Sequence, residues 1–321
     1  MEFSELYVKW NKKVDVPFQE IVLPVFLEKK VQVFVKREDL NHHYISGNKL
    51  RKLKYNILRA AELNHHTLLT FGGAFSNHIL ATASAGYESG FQTIGIIRGD
   101  ELEAKLEDVL KENKTLKTAS HFGMRFHFVS RNTYRKKEEE SFMENLKQKF
   151  GDFYLIPEGG TNHLAIKGTS EILSETPQVY DFNYITCAMG TGGTISGLIN
   201  ASKKYQTILG FPALKETDFL KKVIRQYTTK QNFELITDYH FGGFAKYNEE
   251  LIRFINKIKK LTQLPLDPIY TGKMFYGLVD LIKNDYFEKN SQILVIHTGG
   301  LQGIKGFNEK LKRKNQILIN T

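Results

Sequence analysis

Lys49 lies in the stretch Ser46-Gly47-Asn48-Lys49-Leu50-Arg51-Lys52-Leu53, shortly after Lys36-Arg37-Glu38-Asp39, where a polar loop turns into a helical pattern. A lysine attacks a carbonyl only as the neutral amine, and a junction crowded with positive charge lowers its pKa toward that state. The same stretch also reads as a solvated basic helix start. Two glycine-bearing segments favour the chemical reading. Gly72-Gly73-Ala74-Phe75-Ser76-Asn77-His78 follows the apolar run Thr67 to Phe71 and precedes an alanine-rich helix. Cys187-Ala188-Met189-Gly190-Thr191-Gly192-Gly193-Thr194 follows a second such run and opens another helix. In Gly190 to Thr194, glycines let backbone N–H groups approach an anion, threonine hydroxyls add donors, and the helix start adds positive potential. A dinucleotide fold uses a similar loop, but no Gly-x-Gly-x-x-Gly with an acidic residue behind it marks the first strand, so a phosphate monoester is preferred. Ser76 and Asn77, at a strand-to-helix turn, suit a carboxylate and are equally ordinary N-cap residues. Cys187 reads as packing, since nothing nearby in sequence identifies a base for it.

The elements that must position these residues alternate. Thr67 to Phe71 predicts a strand, Asn77 to Ser89 a helix, and Thr93 to Arg98 the next strand. Glu103 to Leu116 predicts a helix, Arg125 to Val129 an extended segment, Glu138 to Phe150 a helix and Asp152 to Ile156 a short strand. After Pro157-Glu158-Gly159-Gly160 a helix starts near Ala165, and strands are predicted at Tyr184 to Thr186, Thr207 to Phe211 and Ile293 to His297. Such alternation predicts parallel α/β architecture in two lobes.

Composition limits the function classes. With 321 residues, 41% of them hydrophobic, the chain can bury a sizeable core. No apolar run has membrane-spanning length, the N-terminus lacks the pattern of a secretory signal, and a single cysteine excludes an intrachain disulfide framework. A reducing cytoplasm is the expected compartment, with neither membrane nor nucleic acid as partner. The net charge of +10 comes from lysines interleaved with glutamates, the pattern of a solvated surface; it would also draw in an anionic cofactor or a carboxylate substrate. His42-His43 and His65-His66 lack metal-ligand spacing, so no metal site is expected and both pairs are expected to face solvent.

The ordered set of motifs from Lys36 to His297-Thr298-Gly299-Gly300 resembles the fold-type-II pyridoxal-phosphate enzymes, specifically the 1-aminocyclopropane-1-carboxylate deaminase and D-cysteine desulfhydrase family. The resemblance implies an α/β, tryptophan-synthase-beta-like fold, each lobe an open, mostly parallel sheet flanked by helices. It implies a large domain from residues 1–52 and 163–321 and a small one from 53–162, in a homodimer acting on a small amino acid with pyridoxal 5′-phosphate. It assigns Lys49 as the Schiff-base lysine and later acid or base, and Lys52 to the cofactor phosphate, where a surface lysine is the plain alternative. Gly190, Thr191, Gly192, Gly193 and Thr194 become the phosphate loop. Asn77 is assigned to the cofactor 3′-oxygen, Ser76 to the substrate carboxylate and proton transfer, and Tyr270 to a place beside the substrate. Thr271 and Thr298 are assigned to the cofactor.

Four departures from the ring-opening deaminases bear on the activity. Thr271 stands where they carry glutamate, Thr298 where they carry leucine and His78 where they carry glutamine, while their second active-site tyrosine aligns with Phe241. The first three resemble the desulfhydrase branch; the fourth fits neither. A glutamate opposite the pyridine nitrogen makes a strong electron sink, whereas a threonine hydroxyl leaves the weaker sink that suffices for β-elimination of sulfide. The leading expectation is α,β-elimination from D-cysteine giving pyruvate, ammonia and sulfide. Ring opening of 1-aminocyclopropane-1-carboxylate, a dehydratase or a racemase on the same fold is second. A non-catalytic cofactor carrier or nucleic-acid-binding protein is third.

Overall fold

The computed structural model describes residues 2–176 and 181–320. Its strands are β1 (Phe18–Ile21), β2 (Gln32–Lys36), β3 (Thr67–Gly73), β4 (Gln92–Arg98), β5 (Arg125–Val129), β6 (Tyr154–Ile156), β7 (Tyr184–Met189), β8 (Thr207–Pro212), β9 (Phe233–Leu235) and β10 (Gln292–Ile296). They form a six-stranded sheet, β1-β2-β10-β7-β8-β9, and a four-stranded sheet, β5-β4-β3-β6. All neighbours pair in parallel except the antiparallel edge pair β1–β2. The predicted fold-type-II α/β architecture is the one observed.

Alternation of side chains along the strands explains why both faces of the larger sheet are covered. Val33, Val35, Ile293 and Val295 join one apolar cluster, with Leu209 and Phe211. Phe34, Leu294 and Ile296 face the other way and join a second cluster with Cys187 and Ile208. The smaller sheet divides likewise: Leu69, Phe71, Ile94 and Ile96 point to one cluster, and Ile97 to another with Ile79 and Ala83 of the helix Asn77–Ser89. No helix of the described residues is long and apolar enough to cross a membrane.

The chain divides into one unit of Met1–Lys13 with Lys52–Ala165, and a second of Val14–Arg51 with Ile166–Thr321. The first residues therefore group with the smaller sheet, where the sequence reading put them with the larger domain. The N-terminal helix Phe3–Asn11 explains this: buried Trp10 donates its Nε1 hydrogen to Ser89 Oγ at 2.9 Å, and Lys9 Nζ donates to Glu88 O. The helix predicted over Glu103 to Leu116 is interrupted. Asn113 leaves the helical conformation and caps a new helix, Lys114–His121, by accepting from Leu116 N, while its amide donates to Ala74 O.

Candidate active site

In the second unit the parallel register aligns Ile296 with Lys36 on one side and Cys187 on the other. The loops that leave the carboxyl ends of β2, β10 and β7 therefore emerge side by side, where ligands bind in open α/β sheets. The first carries Lys49. Glu38 O and Asn41 Oδ1 accept from Gly47 N, Asn41 Nδ2 donates to Gly47 O, and Ser46 Oγ donates to Asp39 O. Gly47 has φ +70°, and a Cβ there would collide with the Thr298 carbonyl oxygen, which accepts from Asn48 N at 3.3 Å. Only glycine fits this contact between two loops.

Behind the turn, Arg51 grips fully buried Glu38 through Nε and Nη2, both at 3.0 Å, and Glu175 through Nη1 at 2.6 Å. Lys36 Nζ donates to Ile172 O and lies 3.7 Å from Glu38. Asn48 faces the other way. Its Nδ2 donates to Thr194 Oγ1 at 2.7 Å, and its Oδ1 accepts from Lys49 Nζ at 3.2 Å. Burial pushes the Lys49 amine down to about 8, with Cys187 acting in the opposite sense.

The loop after β7 passes through Gly192 at φ +82° into the helix Gly193–Ala201, whose start has no side-chain cap. A Cβ at Gly190 would lie 3.4 Å from the Tyr270 ring and hydroxyl, so Tyr270 covers the loop's first glycine. Tyr270 is fixed by buried Asp267. Oδ1 accepts from Ile269 N and Tyr270 N at 2.8 Å each, and Oδ2 accepts from Thr271 N and Thr271 Oγ1 at 2.9 and 2.7 Å. Asp267 N in turn donates to Thr271 Oγ1 at 2.9 Å. The hydroxyl proton of fully buried Thr271 therefore goes to Asp267. The signal was present as Asp-x-x-x-Thr spacing at a helix start, but Asn and Asp form such turns in many settings.

Lys49, Gly190 to Thr194, Tyr270 and Thr298 are thus tied into one set within this unit. Phe241 is not part of it: its ring packs edge-on against Tyr276 at 5.0 Å, while the ring beside Tyr270, at 6.0 Å, is that of Phe244. Phe241 has left-handed backbone (φ +53°), and the chain turns between the two rings.

In the first unit, Ser76 is the N-cap of the helix Asn77–Ser89 and accepts from His78 N at 3.2 Å; Asn77 opens the helix. Gly72 lies so close to Ile79 and Ser76 that a Cβ would meet them at 2.6 and 2.9 Å, which holds the turn tight. Buried His78 meets Thr70 Oγ1 through Nε2 at 2.9 Å. Thr70 gives its own proton to Ile156 O, so His78 Nε2 must carry the hydrogen. Lys52, expected on the cofactor phosphate, donates to Gly159 O at 2.8 Å and Thr161 Oγ1 at 3.1 Å and fastens that turn. His42 and His65, expected to face solvent, are half-buried: His42 Nδ1 accepts from Tyr44 N and Ile45 N, and His65 Nδ1 lies 2.7 Å from Asp152 Oδ2. His43 and His66 are exposed.

These residues fit a phosphate-bearing aldehyde. The helix start behind Gly192, which has no side-chain cap, offers an anion cradle, and Asn48 joins it to an amine whose pKa is lowered to about 8. The comparisons agree. Residues 22–299 match the family described as pyridoxal-phosphate dependent enzyme. A Pyrococcus abyssi protein provisionally named 1-aminocyclopropane-1-carboxylate deaminase is 32% identical over 88% of each chain. The bifunctional D-cysteine desulfhydrase/1-aminocyclopropane-1-carboxylate deaminase of Arabidopsis thaliana is 30% identical over 85% of this chain and 73% of its own length. A crystal structure of an ACC deaminase homologue superposes with TM-score 0.78 at 30% identity, covering 97% of this chain and 98% of the other. On the family match over residues 22–299 and the likeness in sequence and fold to these relatives, the chain belongs to the pyridoxal-phosphate dependent enzymes and uses pyridoxal 5′-phosphate.

Proposed function

We propose that the protein eliminates sulfide from D-cysteine, giving pyruvate and ammonia. The observation that carries this reading is the Thr271–Asp267 pair. Position 271 bears no carboxylate, and the Asp267 carboxylate already accepts four hydrogen bonds. Neither group is then available to share a proton with the ring nitrogen and strengthen the electron sink. Bound at the cradle, pyridoxal phosphate supplies a sink for the carbon that loses its proton. Gly190 to Thr194 would hold its phosphate, and Lys49 would carry it covalently.

The Lys49 amine, its pKa lowered to about 8, is the proposed acceptor of the α-proton, and Tyr270 is the proposed neighbour of the substrate. Thr298, at the end of β10, remains the threonine proposed for the pyridine side. For Ser76 and Asn77 the proposed partners are the substrate carboxylate and the cofactor 3′-oxygen; their place at a helix start supports both.

The names of the Pyrococcus and Arabidopsis relatives equally support ring opening of 1-aminocyclopropane-1-carboxylate. The deciding experiment supplies the holoenzyme with each compound and measures sulfide and keto acid. Sulfide and pyruvate from D-cysteine, with little 2-oxobutanoate from the cyclopropane substrate, support elimination. Efficient 2-oxobutanoate formation would overturn it.

A further inference from the structure

The helix Thr271–Lys283 carries a lysine in an unfavourable place. Lys273 lies in the first turn, where the helix dipole repels a cation, and it is almost fully buried. Burial lowers its pKa to about 8, against the attraction of Asp267. Its Nζ donates to His240 O and Gly243 O, both at 2.8 Å. Those carbonyls belong to a turn in which Gly243 N donates to His240 O and Gly242 N to His240 Nδ1.

The turn is strained. Phe241, Gly242, Gly243 and Ala245 all have positive φ, at 53°, 88°, 111° and 55°. Two of them carry side chains, and such residues cost on the order of 1 kcal/mol each unless their surroundings over-determine them. The surroundings here are one stripe of the helix, spaced three apart. Tyr270 meets the Phe244 ring, Lys273 holds the two carbonyls, and Tyr276 meets the Phe241 ring. Lys273 is the central clasp, and it retains two N–H donors whether charged or neutral.

We infer that Lys273 is a positioning residue: by pinning the His240–Gly243 turn it seats Phe244 against Tyr270 and so shapes the wall that the substrate meets. This rests on the functional reading in one respect, that Tyr270 stands beside the substrate. Phe244 is half-exposed and presents an apolar ring with no hydroxyl.

The test combines hydrogen exchange of residues 239–247 with steady-state kinetics of the holoenzyme on whichever of D-cysteine or 1-aminocyclopropane-1-carboxylate it turns over. Lys273→Met keeps the length and removes the donors. It should speed exchange in that segment about tenfold and raise KM about tenfold, with kcat changed less than about threefold. Phe244→Ala should raise KM similarly and leave exchange near the wild-type rate. Lys273→Gln, which retains an NH2 donor, should fall between, and it decides the exchange question if Lys273→Met does not fold. Unchanged exchange in the lysine variants, or faster exchange with unchanged KM, overturns the inference. So does an unchanged KM in Phe244→Ala. If the wild-type protein turns over neither compound, the functional reading fails, and exchange alone still decides whether Lys273 holds the turn.

Discussion

Asn48 joins the reactive amine to the anion cradle: its amide donates to Thr194 Oγ1 at 2.7 Å and its carbonyl accepts from Lys49 Nζ at 3.2 Å. One side chain thus ties the amine to a loop residue, Thr194, that lies 146 positions from Asn48 in the sequence. Asn48→Ala removes both bonds without adding bulk. Cofactor affinity should fall roughly tenfold, the weight of one such bond, while the chain stays folded. Titration of the apo-protein with pyridoxal phosphate, followed by absorbance, checks this. An unchanged affinity would mean that the bridge orders nothing the cofactor needs.

Lys49 makes a prediction about pH. Burial lowers its pKa from 10.5 to about 8, and the neutral amine is the reactive form. Covalent loading of the apo-protein should therefore accelerate about tenfold per pH unit below 8 and level off above it. An ordinary lysine would still be gaining at pH 10. The sign for stability follows: the folded state disfavours the charged amine, so Lys49 opposes folding below pH 8, and this penalty fades as pH rises toward 10.5. Lys49→Ala should abolish covalent attachment and not lower the melting temperature at pH 7. Borohydride reduction followed by mass spectrometry, with attachment mapped to another lysine, would remove Lys49 from its role.

Much of this was legible in the sequence because the logic is local. A glycine loop after an apolar run and before a helix offers free backbone donors, so Gly190 to Thr194 could be proposed as an anion site without a fold. The strands of the smaller sheet, together with β7, β8 and β10 of the larger one, and their parallel sense followed from alternation, whereas β1, β2 and β9 were not read. The unread parts depend on contacts between distant segments. β1 is a four-residue edge strand whose register with β2 leaves little pattern of its own. Trp10 ties the first helix to Ser89, which no periodicity announces. Phe241 and Phe244 meet different rings, those of Tyr276 and Tyr270, across a turn of left-handed residues that no periodicity announces. Lys52 sits one helical turn from Lys49, but its ammonium serves the Gly159 turn, a partner 107 positions away.

The two loop glycines separate folding from cofactor binding. Gly47→Ala places a methyl on the Thr298 carbonyl and a side chain at φ +70°, so the fold itself should lose about 2–4 kcal/mol by overpacking and left-handed strain together. Gly192→Asp also forces φ +82° on a side chain, but its nearest neighbour would be a Val223 methyl at 3.4 Å, ordinary contact. Its larger effect should be electrostatic: a carboxylate at the mouth of the anion cradle weakening pyridoxal phosphate by about 10- to 100-fold. Denaturant titrations and cofactor titrations of both variants separate the two effects. Equal cofactor affinity in Gly192→Asp and wild type would move the phosphate elsewhere.

Thr271 is where the structure changes what a substitution means. Replacing it by glutamate looks, from sequence, like a conversion toward the ring-opening enzymes. In this protein the side chain is fully buried and closes a reciprocal pair with Asp267, donating to Oδ2 and accepting from the backbone N–H. Glutamate there removes a donor from a carboxylate and sets a second carboxylate beside it, so one of the two must hold a proton or the turn must open. Thr271→Glu should therefore cost about 3 kcal/mol or more and displace Tyr270, whose own N–H rests on Asp267 Oδ1. Sulfide release should fall at least tenfold, and ring opening should not appear in its place. Thr271→Ser keeps the hydroxyl and should retain most activity with a loss near 1 kcal/mol for the missing methyl. Thr271→Val keeps the shape, removes the hydroxyl and should resemble glutamate in activity, though not in the size of the stability loss. Full activity in Thr271→Val would show that the Asp267 pair holds nothing catalysis needs, and a gain of 2-oxobutanoate formation in Thr271→Glu would return position 271 to the cofactor ring.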